Sequence, residues 1–350
     1  MSTSRLCEPT PGTDPAGARA GGVGVKWFLT RLLAGVAAVL VLVVAAGSLL
    51  SLQFSGTPSD RAASQAADAA WVGSWEDTDA LSELLDIGSV NTLYVYAGDV
   101  AADGTVERVP DTGALLSWLN STYPDVRPLA WLRHVESGSS LLRDRFPTED
   151  RETLAPTVAE VAADGFAGLH LEIRPVTVND PSIPTLMAMV REELGEDPVL
   201  SVQAHHVELL PGGRVASFVA EGEEKYWSKG YMDQVTEHAD EVVLPGVDAD
   251  MPTEGMYGGF MVRQVTESVA ALGAREDLTL RFGVPAYSGQ EWGPGHENEK
   301  ALTAIAAIRL GLSKAEPPEE LTTGVALYLA DEAGEGDLDA YRTGWLGPIP

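Results

Sequence analysis

Asp164-Gly-Phe-Ala-Gly-Leu-His-Leu-Glu-Ile-Arg-Pro175 is the most informative segment of this chain. From Gly168 onward it alternates. Gly168, His170, Glu172 and Arg174 fall on one side, and Leu169, Leu171 and Ile173 on the other, the period of two that puts a polar set on one face of a β-strand. Polar side chains that point into a barrel need partners, because a buried charge without a match is costly to strip of water. Glu172 and Arg174 are therefore expected either to join an ion network that fills a barrel mouth or to line a cleft open to solvent and ligand.

Seven further runs of strand type accompany this one. The eight expected strands are Ala70–Trp75, Val90–Ala97, Arg127–His134, Phe166–Ile173, Pro198–Ala204, Glu241–Gly246, Leu278–Val284 and Thr323–Ala330. Amphipathic patterns such as Thr78–Leu85, Arg151–Ala163, Tyr226–His238, Tyr257–Leu272 and Glu297–Leu310 lie between them. This predicts an α/β chain of repeated βα units, a (β/α)8 TIM barrel, a fold whose typical size is about 250 residues. A doubly wound open sheet is the alternative, but no Gly-rich phosphate fingerprint follows any of the strands.

Composition narrows the function. The 350 residues include 52 acidic and 23 basic side chains, and a formal charge of −29 argues against nucleic acid as a partner. The single cysteine, Cys7, excludes an internal disulfide and a thiolate metal site. The run from Leu32 to Phe54 carries no charge and is long enough to cross a hydrocarbon core of about 30 Å as a helix. Arg5, Arg19, Lys26 and Arg31 precede it, so the positive-inside rule keeps the N-terminus in the cytoplasm and exports the remainder of the chain. The expected organisation is a disordered cytoplasmic tail over 1–26, a transmembrane signal anchor over 27–54, a linker over 55–68 and an extracytoplasmic barrel over 69–350 at the cell membrane. A cleaved signal peptide, with Val44-Ala45-Ala46 as its small-residue site, is the competing reading.

In such barrels the working face is the C-terminal end of the strands. The residues to inspect there are Trp75 and Glu76, His134 and Glu136, then His170, Glu172 and Arg174. His205 and His206, Asp248 and Asp250, Tyr287, Asp331 and Glu332 complete the set. The histidines and Asp248 could be imagined as metal ligands, but the spacing is nonspecific and capping or hydrogen-bonding roles are expected, with no metal and no cofactor. Trp75, Trp131, Tyr287 and Trp292 are candidate platforms for sugar rings; of the tryptophans, Trp131 suits the core better and Trp292, in Gly289-Gln-Glu-Trp-Gly-Pro-Gly295, suits a loop.

The stretch Asp164–Pro175 resembles the strand-four signature of the chitinase-like barrels, family 18 of the glycoside hydrolases, and more closely that of their uncharacterised membrane-anchored bacterial relatives. Trp71-Val-Gly-Ser-Trp75, Ala101-Ala-Asp-Gly-Thr105, Pro128-Leu-Ala-Trp131, Val243-Leu-Pro-Gly-Val-Asp248, Phe282-Gly-Val-Pro-Ala-Tyr287 and Gly324-Val-Ala-Leu-Tyr328 fall in the order such a relative has, covering roughly residues 70 to 347. The resemblance implies substrate-assisted cleavage beside an N-acetylhexosamine. A strand-four Glu protonates the leaving oxygen while the substrate's acetamido oxygen attacks. The family pattern DGxDxDxE falls on Ala167 to Arg174, so the acid position holds Arg174, the neighbouring aspartate position Glu172, and the outer two His170 and Ala167. Arginine cannot act as that acid near neutrality. The strand-six motif MxYD appears as Pro245-Gly-Val-Asp248, so Val247 stands where the supporting tyrosine belongs.

Low or absent hydrolysis is the consequence. The expected function is binding of an N-acetylhexosamine-containing envelope glycan by His170, Arg174, Trp75, His134, Tyr287 and Trp292, with Glu172 and Asp248 at the old catalytic positions. Two alternatives stand beside it. One is an active hydrolase with Glu172 as relocated acid, which Arg174 opposes by favouring the charged carboxylate. The other is a structural envelope protein whose barrel is a scaffold.

Overall fold

The computed structural model describes residues 21–73, 75, 78–101, 103–110, 112–135, 146–209, 226–275, 277–287 and 296–349. The chain divides into two units, Met1–Leu49 and Leu50–Pro350.

In the second unit eight parallel strands close on themselves. They are β1 Asp68–Val72, β2 Val90–Val100, β3 Arg127–Val135, β4 Gly168–Arg174, β5 Val199–Gln203, β6 Glu241–Leu244, β7 Thr279–Pro285 and β8 Thr322–Tyr328. Each pairs with the next in sequence, and β1 pairs with both β2 and β8, which closes the barrel. A short strand, Val106–Arg108, adds an antiparallel hairpin to the end of β2. All eight expected strands are present, and the (β/α)8 expectation holds.

Two apolar layers arise from the alternation. The outward residues of the strands, Leu169 and Leu171 among them, join Leu154, Leu186, Phe260 and Ile305 of the surrounding helices in the main core. A smaller cluster of Trp71, Tyr94, Leu129, Trp131 and Val243 fills the barrel itself. Gly246 and Gly283 let β6 and β7 close in beneath the mouth: a Cβ on Gly246 would stand 1.9 Å from the Gly283 carbonyl oxygen, which no real side chain tolerates.

The floor of the barrel is an ion network. Arg281 and Glu241 pair at 2.5 Å with both side chains buried, Arg127 reaches Glu241 at 3.1 Å, and the Tyr94 hydroxyl accepts from Arg281 at 3.0 Å. Arg281 also donates to the Ala67 carbonyl at 2.6 Å. Burial and the Arg281 charge act in opposite senses on the Tyr94 phenol, and burial wins, so the phenol is held above its ordinary value.

Boundaries shift by a few residues at several elements, and two of these shifts have a long-range reason. β1 starts two residues before Ala70 because Asp68 is anchored by Tyr341, Trp345 and the Val325 amide, at 2.8, 3.0 and 2.9 Å, all near the far end of the chain. The helix expected from Tyr226 starts at Lys229, since Tyr226–Trp227 instead pair with His206–Val207. The helix expected from Glu297 runs over Ala301–Ala315.

The segment read as a linker is tied to the barrel. The Ser59 amide donates to Ser313 Oγ at 2.8 Å, the Thr323 amide to Gln65 Oε1 at 2.6 Å, and Ala62 is fully buried. The apolar run of the N-terminus lies on a helix, Gly21–Gln53, with Leu32, Leu33, Val36, Val41 and Val44 exposed. Among the described residues no helix is long and apolar enough to cross a membrane.

The floor network makes a measurable demand. Glu241→Gln leaves Arg281 buried beside a neutral partner, so urea unfolding is expected to show a loss of about 3–5 kcal/mol; a loss below about 1 kcal/mol contradicts a floor held by that ion pair.

Candidate functional site

Strand β4 builds the site in layers. His170 is the lower one: its Nε2 accepts from Trp71 Nε1 at 3.1 Å, its Nδ1 meets Ser201 Oγ at 2.8 Å, and its ring stacks on Tyr94 with centroids 3.9 Å apart. Indole N–H only donates, so Nε2 is the acceptor nitrogen and the proton resides on Nδ1, donated to Ser201. Burial and, after it, the Arg281 charge push the imidazole well below its ordinary value, which keeps it neutral. His170 is therefore a packed interior histidine under the cleft.

Glu172 sits one layer higher and is fully buried. Trp131 Nε1 donates to its Oε2 at 2.9 Å, and Arg174 NH2 approaches Oε1 at 2.7 Å as an ion pair without hydrogen-bond alignment. The other arm of the guanidinium, NH1, donates to Asp248 Oδ2 at 2.6 Å. One arginine thus bridges the two carboxylates singled out in the sequence. Burial acts to lower the Arg174 guanidinium and to raise the Asp248 carboxyl. The Glu172 charge and, after it, that of Asp248 outweigh burial at Arg174, which is raised, and the Arg174 charge outweighs burial at Asp248, which is held below the usual carboxylate range. The side chains of Arg174 and Asp248 are 31% and 43% exposed, so this bridge forms the open surface of the mouth over the buried Glu172.

The Asp248 loop is held from behind by Glu299, a residue that sequence reasoning missed. The Glu299 carboxylate accepts from the backbone amides of Asp248, Ala249 and Asp250 at 3.2, 2.7 and 3.3 Å, and from the Tyr287 hydroxyl at 3.0 Å. His296 Nδ1 lies 3.1 Å away. Asp248 and Asp250 both have left-handed backbones, at φ 58° and 49°, a conformation that turns successive amides toward one acceptor. In sequence Glu299 reads as one more acidic residue at a helix start, and nothing local marks it.

The other candidates separate. Tyr287 is buried with its hydroxyl on Glu299, and burial followed by the Glu299 charge raises the phenol. His134 faces outward, its Nδ1 2.7 Å from the Val100 carbonyl and its ring against Phe146. Trp75 is half-buried against the main core. His205 stacks on Trp227, and His206 packs edge-on against Phe260. Trp292, Glu76 and Glu136 lie outside the described residues. Among the described residues, no group of three or more His, Cys, Asp or Glu could hold a metal ion. The structure therefore brings together Glu172, Arg174 and Asp248 over His170, places Trp131 beside Glu172, adds Glu299, and sets His134 apart.

No family model matches the chain, and no curated protein matches it in sequence. Solved structures do resemble it. A chitinase from Bacteroides thetaiotaomicron superposes with a TM-score of 0.54 at 13% identity, over 78% of this chain and 93% of that one. The spore cortex-lytic enzyme SleL of Bacillus cereus gives 0.53 at 10% identity, over 79% and 74%. A chitinase from Chromobacterium violaceum gives 0.51 at 13% identity, over 79% and 98%. The barrel has the chitinase-like fold that strand four led us to expect, and at these identities the likeness speaks for the fold.

Glu299→Ala removes the acceptor of three loop amides. The expected result is faster hydrogen exchange at residues 248–250, by about tenfold or more for a net loss of about 1.5–3 kcal/mol, with β4 amides unchanged. Unaltered exchange at 248–250 contradicts the role given to Glu299.

Proposed function

We propose that this chain is a membrane-anchored, extracytoplasmic barrel of glycoside-hydrolase type that binds an N-acetylhexosamine-containing envelope glycan and does not efficiently cleave it. One observation carries the reading: Arg174 occupies the acid position and ties Glu172 and Asp248 into a single ion cluster. A general acid must hold a proton within reach of the leaving oxygen. Arg174 never releases one near neutrality, and a proton on Glu172 would displace either the Trp131 contact or the Arg174 contact. The tyrosine that braces the acetamido group in chitinase-like enzymes is replaced by Val247, which is buried.

Binding is favoured over a pure scaffold role by the open mouth. Arg174 and Asp248 remain partly exposed at the strand ends, charged donor and acceptor groups that suit the hydroxyl-rich edge of a sugar ring. The chitinases and the cortex-lytic enzyme among the structural relatives act on glycans, and that supports the ligand class. The anchor rests on the uncharged run Leu32–Phe54, helical and lined with exposed Leu and Val, behind four basic residues.

Calorimetric titration of the purified full chain is expected to show saturable binding of chito-oligosaccharides or peptidoglycan fragments, weakened about tenfold or more in Arg174→Ala, which strands two carboxylates. Absence of binding to both classes overturns the reading. The anchor predicts that the chain stays in the membrane pellet after alkaline carbonate washing, and release into the supernatant contradicts it.

A further inference from the structure

Among the described residues, the barrel mouth holds two buried acceptor atoms without a hydrogen-bond donor, Gln203 Oε1 and Glu172 Oε1. Gln203 closes β5. Ser201, two residues earlier, faces the interior where it meets His170, so the strand alternation turns Gln203 the same way. The β4–β5 register sets Gln203 beside Glu172, on neighbouring strands about 4.8 Å apart. Gln203 is only 3% exposed, and its Oε1 has no hydrogen-bond partner. Glu172 Oε1, touched by Arg174 without alignment, is a second buried acceptor with room for a donor. A buried acceptor left unbonded costs about 1–3 kcal/mol, so a pair of them side by side beneath the partly exposed Arg174 and Asp248 points to a place where a ligand donor belongs.

The charge count gives the sign of that donor. Among the described residues, Glu172 and Asp248 carry two negative charges against one positive charge on Arg174, Glu299 adds a third carboxylate behind the Asp248 loop, and Arg133 is matched by its own partner Asp99 at 2.9 Å. His206 and His296 face Asp248 as well, and with both neutral the described cluster keeps a negative surplus. A neutral acetamido group brings a single N–H and leaves that surplus in place. A sugar bearing a carboxylate adds to it. A protonated 2-amino group brings three N–H donors and lowers it.

We propose that the cleft selects a hexosamine unit whose 2-amino group is free and protonated over the N-acetylated equivalent, the ammonium being received by Glu172, Gln203 and Asp248. This rests on the glycan-binding function and sharpens it, since the favoured ligand is an envelope glycan that is partly de-N-acetylated.

The test is calorimetric titration of the purified full chain with a glucosamine pentamer and with an N-acetylglucosamine pentamer, at about pH 6 and low salt. The expected result is one-to-one binding in which the glucosamine pentamer is tighter by about tenfold or more, an advantage that shrinks in about 0.5 M NaCl. In Glu172→Gln, which lowers the surplus charge, the two pentamers should bind within about threefold of each other. Gln203→Leu removes an unbonded acceptor, so its melting temperature should equal or exceed that of the parent while its affinity for the glucosamine pentamer falls. That variant keeps the test valid if Glu172→Gln fails to fold. Equal or tighter binding of the acetylated pentamer overturns this inference and leaves glycan binding standing. An advantage that survives undiminished in both variants also overturns it, because it then belongs to the overall charge of −29. Binding of neither pentamer overturns this inference and the glycan-binding reading together.

Discussion

The guanidinium of Arg174 sets the character of the barrel mouth. Its two arms reach Glu172 at 2.7 Å and Asp248 at 2.6 Å, joining β4 to the loop after β6 across the opening. A buried carboxylate without a cation is strongly destabilising, so fully buried Glu172 depends on this contact and on the indole of Trp131. The guanidinium that makes this contact can neither give nor take a proton near neutrality, and the proposed loss of acid chemistry rests on that property.

Below that bridge the barrel is stratified. Arg281, Glu241, Arg127 and Tyr94 form the floor, His170 with Trp71 and Ser201 the middle, and Glu172 with Trp131 the upper layer. Each polar layer is separated from the main core by the strands, whose outward residues are apolar. The layering explains why His170 is neutral and enclosed while Arg174, four residues along the same face, is partly open. Glu299 extends the same economy of partners outward, with one carboxylate collecting the amides of the loop that carries Asp248.

The barrel is legible in the sequence because its strands alternate cleanly: an apolar outer face and a separate inner face are local properties, and Leu169, Leu171 and Ile173 declare them without help. The pairing of Glu172 with Arg174 is legible for the same reason. What stays hidden depends on contacts between distant segments. Asp68 begins β1 only because Tyr341 and Trp345 meet it from the opposite end of the chain. Glu299 serves the Asp248 loop from 51 residues away, just ahead of the helix Ala301–Ala315. Gln203 draws no notice as a residue type, and only the strand register sets it beside Glu172. His134 reads in the sequence as a mouth residue because a strand end offers both faces, yet the parity of β3 sends Trp131 inward and His134 outward, where it meets Phe146.

The proposal of a chitinase-like barrel with an ion bridge where the acid belongs is checked by mass spectrometry of products after prolonged incubation of the full chain with chito-oligosaccharides and digested cell-wall glycan. Intact oligosaccharides from a folded protein are the expected result. Shortened products that disappear in Glu172→Gln would contradict it, and would show that the acid has moved one alternation down strand β4.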